Sequence, residues 1–488
     1  KVYCADIHRL NMYALHLALA LLFLLQLGGV IQLPILASLG NQAYDARLKI
    51  TLPGKIDRHV VIVDIDEKSL DEIGQWPWNR NTLARINDAL FDHYQIKAIG
   101  YDIVFAEEDI DEGAKLLNSM ASGSLKNDPE FIEEYHRVIP SLQHDQRFAE
   151  SLKSRKTVMG VVMDTDSIKG ELPNAITELD NNTLDKLAIH KAKGYTSNLK
   201  VLQDSAFSGG FFNNPLLDED GVFRRVPLLQ IYQNELHESL ALALTRAATG
   251  SPPIEMVVET NENSDDLFLE WVTIGETVIP VDHQSGVLVP YIGKQKSFEY
   301  IPATDVLNKR VEKSKLSGKI TLFGASAPGL LDLRTTPLEP AYPGVEVHAN
   351  IIQGILDGRI LHAPGYTKGY EFILITFIGI VLTFTLPMLS ALYSTLVILG
   401  SIVLLIATNF YAWTNAQLVL PISAPVLLVV LLFALQMTYG FFVESRGKRQ
   451  LAHLFGQYVP PELVEEMSLK MEEINLDGEM REMSVLFS

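Results

Sequence analysis

Long apolar runs near both ends of the chain dominate its hydrophobic pattern. One run covers residues 10–33, and three follow closely at 369–387, 389–411 and 418–443. A helix needs about 20 apolar residues to cross the hydrocarbon core of a bilayer, and each run has about that length. The run 389–411 contains no charged side chain. The pattern therefore predicts four transmembrane helices rather than four buried helices of a large globular core.

Basic residues beside these runs predict how the helices are oriented. Lys1 and Arg9 lie before the first run, and the basic cluster Arg446–Arg449 follows the last one. The positive-inside rule places both flanks in the cytoplasm, including an N-terminal segment at 1–9. Because one helix leads out and three lead back, we expect residues 40–367 to be extracytoplasmic.

Composition narrows the classes of protein that fit. The net charge of -19 argues against a protein that binds nucleic acid through its phosphates. The single cysteine, Cys4, excludes an intrachain disulfide, and nothing in the sequence suggests a zinc cluster. Bacterial extracytoplasmic domains often lack cysteine pairs, so we expect a multi-pass protein of the bacterial inner membrane. The first residue is Lys1 rather than Met, and we expect a longer natural protein.

Short strand patterns alternate with helical patterns between the first and second apolar runs. Strands are predicted at 60–63, 98–105, 157–163 and 319–323, and helices at 80–94, 236–249 and 345–356. Ser69-Leu70-Asp71-Glu72 has the spacing of a capping box, with Gly74 to end its helix. This alternation predicts an α/β domain whose mixed, largely parallel sheet carries helices on both faces.

Polar residues follow three of the predicted strands. Asp64 and Asp66 follow the first, Asp102 follows the second, and Gly324–Ser326 ends the last. Ligands of open α/β sheets bind beyond the carboxyl ends of the strands, so these residues are candidates for a small-molecule site. An alternative stays open, in which Asp66 or Ser69 only caps a helix.

An aromatic and basic cluster comes shortly after the first strand. Trp76, Trp78 and Arg80 lie within five residues and could line the same pocket. The alternative is that the two indole rings fill the core. Around Ser326 the sequence Gly-Ala-Ser-Ala-Pro is similar to the nucleophile elbow of hydrolases. Such an elbow needs a helix directly after the serine, whereas this sequence predicts a loop, which argues against a hydrolase.

Several motifs together resemble the CHASE2 sensor domain over about residues 40–364. They are Asp64-x-Asp66-Glu67-x-Ser69-Leu70, Trp76-Pro77-Trp78-x-Arg80, Gly100-x-Asp102-x-x-Phe105, Asp218-x-Asp220-Gly221-Val222-x-Arg224-Arg225 and Pro343-Gly344-Val345-Glu346-Val347-His348. The resemblance implies an extracytoplasmic sensor of a bacterial signalling receptor, followed by three membrane helices. The residues expected to contact its unknown ligand are Asp64, Asp66, Ser69, Trp76, Trp78, Arg80, Asp102, Asp220, Arg224 and Ser326.

The C-terminal tail carries a second resemblance. Phe455–Val464 and Gly478–Ser488 are similar to the entrance of a class III nucleotide cyclase domain. The resemblance implies an adenylate cyclase that forms cyclic AMP from ATP as a homodimer, with two divalent ions, Mg or Mn. Residues 444–478 would be a cytoplasmic dimerising segment, and 479–488 the start of the catalytic domain. The first metal-binding aspartate of that family would follow Ser488, so no catalytic or metal-binding residue is assigned within the chain.

Two other outputs remain open. The sensor could regulate a different enzyme, such as a protein kinase, or act as a non-enzymatic fragment. A transporter or channel is disfavoured because the apolar runs hold almost no ionisable side chains away from their ends.

Overall fold

The structure is a computed structural model that describes residues 2–53, 58–109, 111–178, 180, 183, 186–260, 267–327, 329–330 and 333–455. The chain forms two compact units. The α/β unit consists of Ser38–Thr367 and Thr408–Pro421, and the helical unit of Lys1–Ala37, Lys368–Ala407 and Ile422–Ser488.

Helices and strands are numbered in chain order over the described residues. The helices are α1 Val2–Leu27, α2 Pro34–Ile50, α3 Glu67–Ile73, α4 Arg80–Asp88, α5 Glu112–Ser122, α6 Pro129–Leu142, α7 His144–Leu152, α8 Lys200–Gln203, α9 Leu240–Thr249, α10 Ala303–Leu307, α11 Gly344–Asp357, α12 Thr367–Thr385, α13 Ala391–Asn415 and α14 Ser423–Phe455. Short turns of π or 3-10 helix are Ala89–His93, Lys313–Lys315 and Leu386–Met388. The strands are β1 Val60–Ile65, β2 Ala98–Tyr101, β3 Thr157–Met163, β4 Ile168–Lys169, β5 Thr177–Glu178, β6 Lys191–Ala192, β7 Tyr195–Thr196, β8 Ser208–Phe211, β9 Arg225–Pro227, β10 Leu229–Tyr232, β11 Glu235–Glu238, β12 Ile254–Thr260, β13 Leu267–Ile274, β14 Thr277–Pro280, β15 Gly286–Leu288, β16 Glu299–Pro302, β17 Ile320–Ala325, β18 Leu333–Arg334 and β19 Tyr342–Pro343.

A parallel sheet forms the centre of the α/β unit. Its strands lie in the order β16, β1, β17, β2, β3 and β8, and every neighbouring pair among them is parallel. The short strand β7 adds an antiparallel pairing at the end of β3, and β4 pairs with β7. The predicted mixed, largely parallel sheet with flanking helices is thereby confirmed.

Strand β1 shows why this sheet is buried on both faces. Val60 and Ile62 belong to the core on one face, together with side chains of α9 and α11. Val61, Val63 and Ile65 belong to the core on the other face, with α4 and α7. All six residues of the strand are buried, as expected for a parallel sheet covered by helices. Gly100 permits the close approach of α9, since a Cβ there would lie 2.8 Å from Cδ2 of Leu244.

Two predictions about local structure are wrong. Asp66, not Ser69, caps helix α3, and its carboxylate accepts a hydrogen bond from the backbone N–H of Ser69. Gly74 ends the helix as predicted. The predicted helix 236–249 is a strand followed by a helix, because Ser239 caps α9 and β11 pairs with β10.

The segment Thr408–Pro421, here called the connecting segment, packs within the α/β unit against part of α2. The Arg47 guanidinium donates to the Asn409 side chain and stacks on the Trp413 ring, 4.7 Å from its centroid. Trp413 donates through Nε1 to Thr51 Oγ1 at 2.8 Å and meets the Tyr44 ring edge-on at 5.4 Å. These contacts fix the position of the connecting segment against the C-terminal end of α2.

The connecting segment also pairs with the chain that follows α11. The N–H of His362 donates to the carbonyl of Gln417, and the N–H of Val419 donates to the carbonyl of His362, both at 2.8 Å. The Gln417 side chain donates to the carbonyl of Gly358 at 3.3 Å. The connecting segment is therefore held on two sides, by α2 and by the exit from α11.

The helical unit contains most of the length of the apolar runs. In the part of the chain that the structure describes, four helical segments are long and apolar enough to cross a membrane, namely Leu10–Leu27, Thr367–Met388, Ala391–Asn415 and Ser423–Phe441. Their buried side chains share one apolar core, which includes Phe23, Ile375 and Leu428. Gly379 lies against α1, where an added Cβ would come within 2.9 Å of the Ala20 Cβ. Small residues of this kind let apolar helices approach closely.

The ends of these helices differ from the predicted runs. The run 10–33 leaves its helix after Leu27, and Gly29 takes a left-handed conformation with φ 75°. The run 418–443 becomes helical only at Ser423, after Pro421. Helix α14 continues through the start of the predicted segment 444–478 as far as Phe455. The rest of that segment and the predicted start of a catalytic domain at 479–488 lie outside the described residues.

Candidate ligand-binding site

A cavity of about 300 Å³ lies at the carboxyl edge of the central sheet. Ile65 and Ala325 end strands β1 and β17, Asp102 and Ile103 follow β2, and Phe212 follows β8. The remaining lining residues come from the 330–345 region and from the loop before α4, and they are Trp76, Leu330, Arg334, Gly344 and Val345. We refer to this space as the edge cavity.

Trp76 and Trp78 have different environments although they are two residues apart. Trp78 is 4% exposed and belongs to the core, and its Nε1 donates to the Gly74 carbonyl at 2.7 Å. Trp76 lies edge-on against Trp78, with ring centroids 5.4 Å apart, and lines the edge cavity. The predicted pocket role therefore fits Trp76, whereas Trp78 fills the core.

Asp102 is the charged candidate that lies in the edge cavity. Its backbone N–H donates to the Phe323 carbonyl at 2.9 Å, which continues the pairing of β2 with β17. Its carboxylate lies 3.9 Å from Nε2 of His348, in the first turns of α11. Burial, together with the positive charge of Arg334, lowers the pKa of His348 to about 4. The imidazole is therefore neutral at pH 7, and the contact with Asp102 is not an ion pair there.

Asp64 and Ser326 are brought together next to the edge cavity. The backbone N–H of Ser326 donates to Oδ1 of Asp64 at 2.7 Å, and the Ser326 hydroxyl donates to Oδ2. Asp64 is 4% exposed, and burial raises its pKa to about 6. These bonds join the ends of neighbouring strands β1 and β17, whose residues Ile65 and Ala325 line the cavity. The Ser326 hydroxyl is therefore held by a buried carboxylate.

Asp66 and Ser69 have local roles in the structure. Asp66 Oδ1 accepts from both the backbone N–H and the hydroxyl of Ser69, at 2.9 and 2.6 Å. Ser69 Oγ in turn accepts from the backbone N–H of Thr304 at 3.1 Å. These bonds cap α3 and fasten it to α10, which is the alternative that the sequence left open for this pair.

Arg80 also lies in a structural cluster and does not line the edge cavity. Its guanidinium stacks over the Phe105 ring at 4.5 Å from the centroid and donates to the Glu107 carbonyl at 3.2 Å. Nε lies 3.5 Å from a carboxylate oxygen of Asp145. The contacts hold the start of α4 against the loop after β2.

Asp220 and Arg224 form the most extensive ion-pair cluster among the described residues. The Arg224 guanidinium makes a bidentate pair with Asp45 of α2, at 2.8 and 2.9 Å. It also donates to Asp218 at 2.8 Å and to both carboxylate oxygens of Asp220 at 2.9 Å. Hydrogen bonds from Arg224 lower the pKa of Asp220. The guanidinium thus joins α2 to the turn before β9.

Sequence reasoning missed several residues of the edge cavity. Phe212, Leu330 and Arg334 follow or form short irregular strands and carry no periodic signal. Val345 was expected to begin a helix, but only the fold places that helix terminus at the cavity. Within the described residues, no group of three or more His, Cys, Asp or Glu side chains is arranged to hold a metal ion.

The edge cavity has the chemistry of a small-molecule site. Apolar residues form most of its lining, and Asp102 and Arg334 are its charged residues. A largely apolar cleft with a few polar groups, at the carboxyl edge of a parallel sheet, is the usual form of a ligand site in α/β proteins.

Comparison with known families identifies the class of protein to which this architecture belongs. The sequence model of the CHASE2 domain matches residues 17–384, which is most of the chain. The chain therefore belongs to the CHASE2 family, whose domain is a sensor found in signalling receptors. No curated protein and no solved structure matches the chain.

Proposed function

We propose that this protein is a transmembrane receptor of the bacterial inner membrane, in which the α/β unit faces outward and binds a small ligand in the edge cavity. The single observation that carries the sensing role is the cavity itself, lined by Trp76, Asp102 and Arg334 at the carboxyl edge of the sheet. The four apolar helices and the basic flank Arg446–Arg449 support the orientation.

Helix α11 provides a physical route from the cavity to the membrane helices. Gly344 and Val345 at its start line the edge cavity, and Gly358 ends it. The helix has 14 residues, or roughly 20 Å at a rise of about 1.5 Å per residue. His362, just after it, pairs with the connecting segment, and Thr367 begins the second apolar helix. A ligand that shifts the start of α11 would therefore act on the pairing of His362 with the connecting segment, which lies in the same unit.

For the output we propose a cytoplasmic class III adenylate cyclase that forms cyclic AMP from ATP as a homodimer. The support is the similarity of Phe455–Val464 and Gly478–Ser488 to the entrance of that catalytic domain. The reaction would need two divalent ions, Mg or Mn, which activate the ribose hydroxyl and offset phosphate charge. The family's first metal ligand is an aspartate after the Phe-Ser of its first strand, so no described residue is assigned to the ions.

The reading frame after the codon of Ser488 tests this output directly. We expect an aspartate at the next position, and any other residue would contradict a cyclase. A Gly-rich loop and a strand lysine further on would indicate a kinase instead.

A biochemical assay separates the sensing and catalytic parts. Membranes that hold the full-length receptor should convert ATP to cyclic AMP with Mn²⁺, whereas the chain Lys1–Ser488 should form none. Substitution of the expected aspartate by alanine is the matched control. Trp76→Ala should leave the Mn²⁺-supported basal rate within about twofold and abolish its response to ligand-containing extracts, since the Trp76 ring lines the edge cavity and otherwise packs only on the core around Trp78. Retained regulation in Trp76→Ala would place the ligand elsewhere.

A further inference from the structure

A second cavity, of about 260 Å³, lies in the α/β unit away from the carboxyl edge of the sheet. Strands β13 and β14 form one wall, the end of α11 and its exit form another, and the connecting segment closes it. The lining residues are Trp271, Val278, Ile279, Pro280, Gly354, Ile355, Gly358, Ile360, His362, Ala416, Gln417 and Leu418. We call it the joint cavity, because two segments that run into the apolar helices meet there.

His362 is the buried polar side chain of the joint cavity. It is 9% exposed, and its ring lies 4.2 Å from the ring of Trp271. Among the described residues its Nε2 has no hydrogen-bond partner, and the nearest carboxylate oxygen, of Glu270, is 3.7 Å away. Burial lowers the pKa of His362, so the ring is neutral at pH 7. An unsatisfied buried polar group is unfavourable, and a bound molecule that forms a hydrogen bond with it would remove that cost.

We propose that the joint cavity is a second ligand site, which takes a small, uncharged, largely apolar molecule with one hydroxyl group. The apolar walls from Val278, Ile279 and Ile360 and the flat ring of Trp271 favour a single-ring molecule. A hydroxyl both donates and accepts, so it satisfies either tautomer of neutral His362. The carboxylate of Glu270 near the imidazole disfavours an anion.

A molecule bound there would act on the joint between α11 and the connecting segment. It would contact both His362 and Gln417, whose backbones are already paired at 2.8 Å. Binding would therefore stabilise that pairing and oppose any separation of the two segments. The site stands on its own contacts and does not depend on the proposed cyclase output.

Quenching of tryptophan fluorescence by 4-bromophenol tests the site in the full chain in detergent. The chain has four tryptophans, at positions 76, 78, 271 and 413. We expect saturable quenching in the wild-type protein that Trp271→Phe removes. Quenching that persists in Trp271→Phe would come from other tryptophans or from probe in the detergent, and would contradict the proposal.

Two matched variants locate the probe. Val278 lines the joint cavity, whereas Val258 of the same three-stranded sheet, β12–β13–β14, lies opposite Leu269, which does not line it. Both valines are partly exposed, at 56% and 38%. Val278→Lys should weaken 4-bromophenol binding about tenfold, and Val258→Lys should leave it unchanged. Equal affinities for the two variants would refute the assignment of the cavity.

The role of the hydroxyl is tested with bromobenzene, which has none. The wild-type protein should bind 4-bromophenol about fivefold more tightly than bromobenzene. In His362→Phe that preference should disappear while bromobenzene still binds. A preference that survives in His362→Phe would exclude the imidazole as the partner. None of these readouts involves cyclic AMP, so a failed cyclase assay would leave them interpretable.

Discussion

Two charged clusters of the α/β unit differ in what surrounds their charges. Arg224 is 6% exposed and is surrounded by three aspartates within hydrogen-bonding distance, so the protein itself supplies every partner that the guanidinium needs. At the edge cavity, Arg334 stacks over the Phe223 ring at 5.3 Å and Asp102 lies 3.9 Å from His348, and both residues also line an open space. The first arrangement fixes α2 to the domain, and the second leaves room for a ligand. A motif rich in aspartate and arginine therefore predicts a site only when a cavity accompanies it.

Removal of the Arg224 guanidinium should give the largest effect. Arg224→Met leaves Asp45, Asp218 and Asp220 close together without their cation. We expect a loss of about 3–5 kcal/mol, seen as a fall in Tm of roughly 10 °C in tryptophan-monitored melting. The matched control is Arg310→Met, because Arg310 is half exposed in its pair with Glu72 and its loss should leave the Tm nearly unchanged. Similar Tm values for the two variants would mean that the Arg224 cluster is not a structural anchor.

The buried carboxylate of Asp64, beside the edge cavity, should make the stability of the protein depend on pH. Burial raises the pKa of Asp64 to about 6 from 3.8. The folded state then holds a proton that the unfolded state has lost between about pH 4 and 6, so stability falls as pH rises through that window. Asp64→Asn removes this dependence. The free energy of unfolding of Asp64→Asn, relative to that of the wild type, should therefore be about 2 kcal/mol higher at pH 7.5 than at pH 4.5.

Melting of both proteins at the two pH values measures this difference. Asp71→Asn, which changes an exposed carboxylate of α3, is the control and should follow the wild type at both pH values. If the curves for Asp64→Asn and the wild type run parallel, Asp64 is charged in the folded protein at low pH. The bond from Ser326 would then outweigh burial.

The smallest effect is expected at Asp66, which the sequence placed among the ligand candidates. Asp66→Ala removes the cap of α3 and should lower stability by about 1 kcal/mol, or roughly 2–3 °C in Tm. Asp66→Asn keeps an oxygen that can accept from Ser69 and should restore most of the loss. If the asparagine variant is as unstable as the alanine variant, the negative charge of Asp66 has a role beyond capping.

The elements that the sequence predicted well are those whose signal is local. Buried strands such as β1 read as continuous apolar runs because both faces of a parallel sheet are covered. The four apolar helices were evident from length alone, but their ends were not. Gly28-Gly29 and Pro421 interrupt runs that remain apolar on both sides, so hydropathy extends the helices too far.

The edge cavity was only partly predictable because several of its lining residues come together from distant parts of the sequence. Trp76 and Asp102 could be chosen, since they follow strands whose carboxyl ends form one edge. Arg334 and Phe212 reach the same edge only through the fold. The ion pairs of Arg224 could not be predicted for a similar reason, since its partner Asp45 is 179 residues away. A local motif cannot show whether a charge already has a distant partner.

The packing of Trp413 against Tyr44, Arg47 and Thr51 has a practical consequence for anyone who isolates the α/β unit as a fragment. A fragment cut at residues 40–367 would lack the peptide that covers these side chains and that pairs with His362. The surface that Trp413 normally covers would be exposed in the fragment and would favour its self-association. Self-association would interfere with any ligand screen of the fragment. Fusion of residues 408–421 to the fragment through a flexible linker should reduce this self-association.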